Sequence, residues 1–158
     1  MVRLVKKLLL GWQEWCGLPL LDIPYIKAKI DTGAKTSALH AFNITPFTQH
    51  KQKWVEFEIH PLQGSHKIIQ RCQAQVIDER EIMSSTGHTE HRYVIMASLT
   101  LGLLSYPIEL TLSNRDLMKF RMLLGREALQ NKFWVDPAHK MLLGRYTRKE
   151  VLKAYHGT

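Results

Sequence analysis

Ile30-Asp31-Thr32-Gly33-Ala34-Lys35-Thr36-Ser37 places an acid at the end of a hydrophobic strand pattern, followed by a hydroxyl, a glycine and a small residue. The chemistry that uses this arrangement is the attack of water on an amide by paired carboxylates. The carboxylate must emerge from a rigid strand end and be held there by neighbouring backbone N–H groups. Glycine lets the backbone approach closely, and the threonine hydroxyl can lock the turn. Two such carboxylates about 3 Å apart cannot both ionise, so they share a proton and serve as base and acid. The tripeptide alone fits a plain turn after a strand better. Asp-Thr-Gly occurs once; Asp22, Asp78, Asp116 and Asp136 are followed by Ile, Glu, Leu and Pro. A two-carboxylate mechanism therefore requires two chains, with Asp31 meeting its symmetry mate on a two-fold axis.

Around this stretch the periodicity is mostly that of strands. Trp54 to His60 alternates, with Val55, Phe57 and Ile59 on one face and Glu56, Glu58 and His60 on the other. Pro107 to Ser113 does the same, and Ile26–Ile30, Ile68–Cys72, Arg92–Leu99, Met122–Leu124 and Met141–Leu143 add short β-rich runs. Thr147-Arg148-Lys149-Glu150 reads as a capping box opening a helix at about 147–156. Ser84-Ser85-Thr86-Gly87-His88-Thr89 reads as a hairpin tip. Many short strands at regular spacing predict a mainly β fold, a closed barrel or a sandwich. At 158 residues, with no linker or repeat, the chain reads as one domain over 1–158 with a core at about 11–143.

Composition narrows the partners. Lys plus Arg number 22 against 14 Asp plus Glu, a formal charge of +8 that favours acidic partners. Two cysteines, Cys16 and Cys72, exclude a disulfide framework and a four-cysteine zinc site, and fit a reducing cytoplasm. The run Val94–Leu104 is too short for the roughly 20 residues of a spanning helix, and Lys6-Lys7 before Leu8-Leu9-Leu10 is not a signal-peptide pattern. The expectation is a soluble protein with no membrane partner.

A second element gives the Asp31 stretch its context. Met122-Leu123-Leu124-Gly125-Arg126 is a hydrophobic run into Gly-Arg, about ninety residues after the acid. With Gly11-Trp12-Gln13-Glu14-Trp15, Ile26 to Ala41, Trp54-Val55-Glu56-Phe57 and Arg92-Tyr93-Val94-Ile95, the chain resembles a bacterial retropepsin-like aspartic peptidase family from about Gly11 to Leu143. Its members are often named ATP-dependent zinc proteases, and some stand beside ATP-grasp ligases that add glutamate to a ribosomal protein. The resemblance implies a closed, mostly antiparallel acid-protease barrel with short helices after Gly125 and at the C-terminus. It further implies a homodimeric aspartic endopeptidase with Asp31, Thr32 and Gly33 as the catalytic element. Ala34, Lys35 and Thr36 beside it, Gly87, His88, Glu90 and Arg92 from a flap at Ser84–His91, and Arg126 would bind the peptide substrate.

The residues do not support the zinc and ATP of the family's older name. Lys35-Thr36 lacks the first glycine of a phosphate-binding loop, and His88-Thr89-Glu90-His91 lacks the His-Glu-x-x-His spacing. No cofactor and no metal is expected. Where retroviral enzymes carry an acid that pairs with the Gly-Arg arginine, this chain has Lys35. With Arg92, Arg115 and Arg121 it suggests a basic cleft for acidic or glutamate-rich peptides, unless Arg126 pairs with Glu127, Asp116 or Glu90. Two other classes stay open: a silent module of the same fold that binds acidic peptides, and a basic RNA- or ribosome-associated protein. The stretch from Arg115 to Lys153 holds ten basic residues against four acids, but no RNA-binding signature. Trp12, Trp15, Trp54 and Trp134 read as core or subunit contacts, and Cys16 and Cys72 as buried thiols.

Overall fold

The computed structural model describes residues 6–83, 86–115 and 119–156. Among them the chain forms β1 (Leu8–Leu10), β2 (Gln13–Leu18), β3 (Ile23–Ile30), β4 (Ser37–His40), β5 (Phe42–Gln49) and β6 (Gln52–Ile59). There follow β7 (Gln70–Met83), β8 (Thr89–Leu101), β9 (Leu104–Ser113), β10 (Met122–Leu124), α1 (Arg126–Leu129), β11 (Phe133–Val135) and α2 (Arg148–His156). The expected alternation is observed. Val55, Phe57 and Ile59 of β6 and Ile108, Leu110 and Leu112 of β9 are all buried. Thr111 and Ser113 on the other face of β9 are buried too, because Arg92 and Glu90 lie over them.

The main sheet runs β2-β3-β10-β4-β9-β8-β7-β6-β5, and β2 also pairs with β8. The first six strands therefore close into a ring, and β7, β6 and β5 continue outward from β8. The ring is joined at Gly17, which leaves the β2–β3 ladder in a register shift between Cys16 and Leu18 and pairs with Thr100. A glycine at a sheet corner permits this bend. A Cβ there would lie 2.8 Å from the Pro24 carbonyl oxygen. Ile23, Ile26, Leu39, Phe57, Ile95, Leu99 and Leu110 fill the interior.

Inside the ring, β10 lies between β3 and β4, parallel to the first and antiparallel to the second. The chain leaving β3 must therefore arch over the end of β10 to reach β4, and residues 31–36 make that arch. Outside the ring, β1 and β11 form a parallel pair of their own. α2 packs on β3, where the Tyr155 hydroxyl donates to the Tyr25 carbonyl. Val151 joins Leu62 and Ile68 in a small second core. The N-terminus of α2 carries the reciprocal capping bonds, Thr147 N–H to Glu150 and Glu150 N–H to the Thr147 hydroxyl.

Met141–Leu143, expected as a strand, is not one. Its N–H groups are taken by other acceptors: Met141 donates to the Gln13 carbonyl, and Leu142 and Leu143 donate to the Glu14 carboxylate at 3.0 and 3.1 Å. The Gly11 N–H donates to the same carboxylate at 2.7 Å. Glu14 is fully buried, so these three N–H groups replace its lost hydration.

Two outcomes follow from these interior groups. Glu14→Gln turns an amide N–H₂ toward backbone donors, and urea unfolding should show a loss of about 2–4 kcal/mol. Cys16 and Cys72 are buried, and burial pushes both thiols up to about 12. Native protein at pH 8 should resist alkylation at both, with two thiols reacting only in denaturant.

Candidate active site

The arch over β10 is held from beneath. The Asp31 N–H donates to the Leu124 carbonyl at 2.9 Å, which fixes the acid at the point where β3 and β10 end together. Its Oδ1 accepts the Gly33 N–H at 3.0 Å, and its own carbonyl accepts the Ala34 N–H at 3.2 Å. A Cβ at Gly33 would stand 3.2 Å from Oδ1, so glycine keeps the carboxylate's near side open. Asp31 is half-buried, while Thr32 and Gly33 are exposed. The result is an acceptor-rich carboxylate anchored on one oxygen and presented at the surface of a braced loop.

Gly125 and Arg126 supply the bracing. The Gly125 N–H donates to the Ser37 hydroxyl at 3.0 Å, Arg126 N–H to the Ala34 carbonyl at 2.8 Å, and Glu127 N–H to the Lys35 carbonyl at 3.1 Å. The orphan donors at the start of α1 are thus spent on the arch. A Cβ at Gly125 would meet the Thr36 carbonyl carbon at 2.8 Å and the Ala34 oxygen at 2.9 Å. The Arg126 side chain donates from one nitrogen to the carbonyls of both Thr32 and Gly33, each at 3.0 Å. Lys35 pairs with Glu127 at 3.7 Å and is otherwise largely in solvent. Of the alternative partners considered for Arg126, Asp116 lies outside the described residues, and Glu90 is engaged elsewhere.

Glu90 and Arg92 meet at 3.0 Å, each largely buried, on β8 just below the tip of the β7–β8 hairpin. Glu90 also accepts the Ser113 hydroxyl at 3.0 Å. Arg92 donates to the Thr111 hydroxyl at 3.3 Å, and that hydroxyl donates to the Ser37 carbonyl at 3.1 Å. A polar chain thus ties the hairpin to the strand that leaves Asp31. At the tip, Gly87 has a φ of +83° and His88 is exposed; Ser84 and Ser85 lie outside the described residues.

Two features escaped the sequence. His91, on β8, holds Glu81 with Nδ1 and Glu79 with Nε2, each at 2.9 Å, and Glu79 also holds Lys53 at 2.9 Å. His40, Phe42, His60 and His66 form a run of ring contacts 4.6–4.8 Å apart, in which burial pushes the His60 imidazole below its ordinary value. Alternating strands hid both, because cross-strand partners are far apart in sequence. Among the described residues no group of three or more His, Cys, Asp or Glu side chains is placed to hold a metal.

Three outcomes follow. Gly125→Ala should cost about 1–3 kcal/mol, because the clash is with backbone. Arg126→Lys should keep the fold but raise amide exchange at Gly33 and Ala34, since an ammonium does not reproduce the guanidinium's reach. The carboxylates of Glu81 and then Glu79 hold the His91 proton above its ordinary value. A raised folded value means the contribution is complete below the ordinary histidine range and is lost as pH rises through the raised value. Exchange protection in the β7–β8 hairpin should fall on that rise, and His91→Gln should remove the pH dependence.

Comparison with known proteins adds a family and a fold. A family model described as RimB-like, retropepsin-like aspartic endopeptidase RimB, matches residues 9–146. Proteins named "Probable alpha-L-glutamate ligase" match at 51% identity in Shewanella halifaxensis and 48% in Desulfotalea psychrophila, over 95% and 96% of this chain. The chain spans only about a third of each, 33% and 32%. A crystal structure of a Legionella pneumophila protein of unknown function shares the fold, with a TM-score of 0.72 and 24% identity over 87% of this chain and 99% of that one. An acid braced at the end of β3, a Leu-Leu-Gly-Arg element beneath it and a family match over nearly the whole ring lead to one assignment: the chain belongs to the RimB-like family of retropepsin-like aspartic endopeptidases.

Proposed function

We propose that the chain is an aspartic endopeptidase that works as a homodimer and hydrolyses peptide bonds in acidic, glutamate-rich chains. The observation that carries this reading is the Asp31 carboxylate, anchored by Gly33 N–H on a loop that β10 and Arg126 hold from below. One such acid per chain is half of an acid–base pair, so a second copy supplies the other half. In the dimer one Asp31 accepts a proton from water as it attacks the scissile carbonyl, and the other donates a hydrogen bond to that carbonyl oxygen. Thr32 and Gly33 hold the loop, and the β7–β8 hairpin closes over the substrate and excludes water. Neither a metal nor ATP takes part.

The substrate class draws on the relatives. Proteins named as glutamate ligases contain a region like this chain, and a site that handles glutamate chains beside a ligase has the matching specificity for hydrolysis. Lys35, exposed next to the acid, and the surplus of basic residues suit such chains. The same ligase names favour a second reading, in which the domain only binds acidic chains for a ligase.

One set of measurements separates the two. Asp31→Asn should retain fold and self-association while hydrolysis of an oligoglutamate peptide falls at least a thousand-fold, and chelators or removal of ATP should change little. Specific activity should fall as protein is diluted through the dimer range. Cleavage that survives Asp31→Asn, or a fully active monomer in sedimentation, overturns the peptidase reading; tight peptide binding with no cleavage by wild type supports the binding module.

A further inference from the structure

Away from Asp31, the outer face of β2 and β3 carries an aromatic ledge. Trp15 contacts Tyr25 and Tyr146 edge-on with ring centroids 6.1 and 6.3 Å apart, and Tyr25 and Tyr146 lie 4.6 Å apart. Two cavities open beside this ledge, and both are lined by Trp15 and Tyr146. The first is walled by Gly17, Gly102 and Gly144, whose missing side chains leave room beside the rings. The second is lined by Lys27, Gln63 and Arg148. Lys27 sits with its ammonium 5.2 Å from the centre of the Trp15 ring. Among the described residues neither Lys27 nor Arg148 has a carboxylate partner. The nearest acid in sequence, Glu150, is turned to the Thr147 N–H in the helix cap.

We propose that this ledge is a binding site for a nucleotide, separate from the Asp31 site. A planar base lies against Trp15 and Tyr146, and its phosphate lies between Lys27 and Arg148. The pairing of features selects this chemistry. Two cations alone accept any carboxylate or phosphate, and aromatic rings alone accept any apolar group. Rings with one cation over a ring face and a second lining the same cavity suit a ligand that is flat at one end and multiply anionic at the other. Gln63 adds a neutral donor and acceptor for a base edge or sugar hydroxyl. An acidic peptide, the class proposed for the Asp31 site, gains little from the rings. The nucleotide is either free or part of a single-stranded RNA, since both present the same base and phosphate.

The test is a titration of full-length protein with adenosine 5′-monophosphate, guanosine 5′-monophosphate, a ten-nucleotide RNA and an oligoglutamate peptide, read by calorimetry and tryptophan fluorescence. Wild type should bind at least one nucleotide probe. Arg148→Glu should weaken that binding at least ten-fold, and it should fold normally because an acid suits the first turn of α2. Tyr146→Ala should weaken it about five-fold or more, Lys27→Gln should behave like Arg148→Glu, and Asp31→Asn should change nothing. Binding by mononucleotides identifies a free-nucleotide site, and binding by the RNA alone, falling with salt, identifies a strand site. The proposal is overturned if no nucleotide probe binds at millimolar concentration, if Tyr146→Ala binds as well as wild type, or if oligoglutamate binds this face equally well and is lost in the same variants. None of these readouts depends on peptide hydrolysis, so failure here leaves the peptidase reading intact.

Discussion

The insertion of β10 between β3 and β4 is the constraint on which the candidate site depends. It separates two strands that are neighbours in sequence, so the six residues joining them must arch over a third strand's end. An arch of that length has many backbone groups and little else to bond them. β10 and the start of α1 supply the partners: Leu124 accepts from Asp31, Gly125 and Arg126 donate to Ser37 and Ala34, and the Arg126 guanidinium collects the two carbonyls left over. The acid is then rigid without being buried. Glycine at 125 is required because the arch lies directly on it.

Much of this was legible in the sequence, and the reasons are specific. β6 and β9 alternate cleanly because one face meets the core, and Met122–Leu124 stood out as an apolar run ending in Gly-Arg. The Asp31 stretch was readable because its residue types fit few backbone shapes. Pairwise partnerships were not. The replacement of the retroviral acid by Lys35 suggested a basic cleft or a carboxylate partner for Arg126, whereas Arg126 satisfies carbonyls and Lys35 takes Glu127. Backbone carbonyls are acceptors that no sequence pattern advertises. Met141–Leu143 failed as a strand because a side chain, the buried Glu14 carboxylate, took the place of a neighbouring strand.

The basic surplus is also distributed in a way that composition conceals. Arg126, Arg92 and Arg80 are engaged within the fold, the last with Asp78 and Glu109. Their charges contribute to architecture. Lys27 and Arg148 stand on a different face, beside rings, with no carboxylate partner among the described residues. Net charge alone would merge these two populations, although the first is spent on internal partners.

The joint at Gly17 has a kinetic meaning. The outer strands β5, β6, β7 and β8 pair in sequence order through hairpins, which are local and close quickly. The ring is complete only when β10 is in place between β3 and β4 and residue 17 pairs with residue 100. That closure is long-range, as are those of β10 on β3 and β11 on β1, but it alone is made by a single bridging pair at a bulge. The seam is therefore the weakest circumferential link of the native ring. A transient parting there separates β2 from β8 while leaving β3, β10 and the Asp31 arch joined, so the barrel can breathe without disturbing its acid.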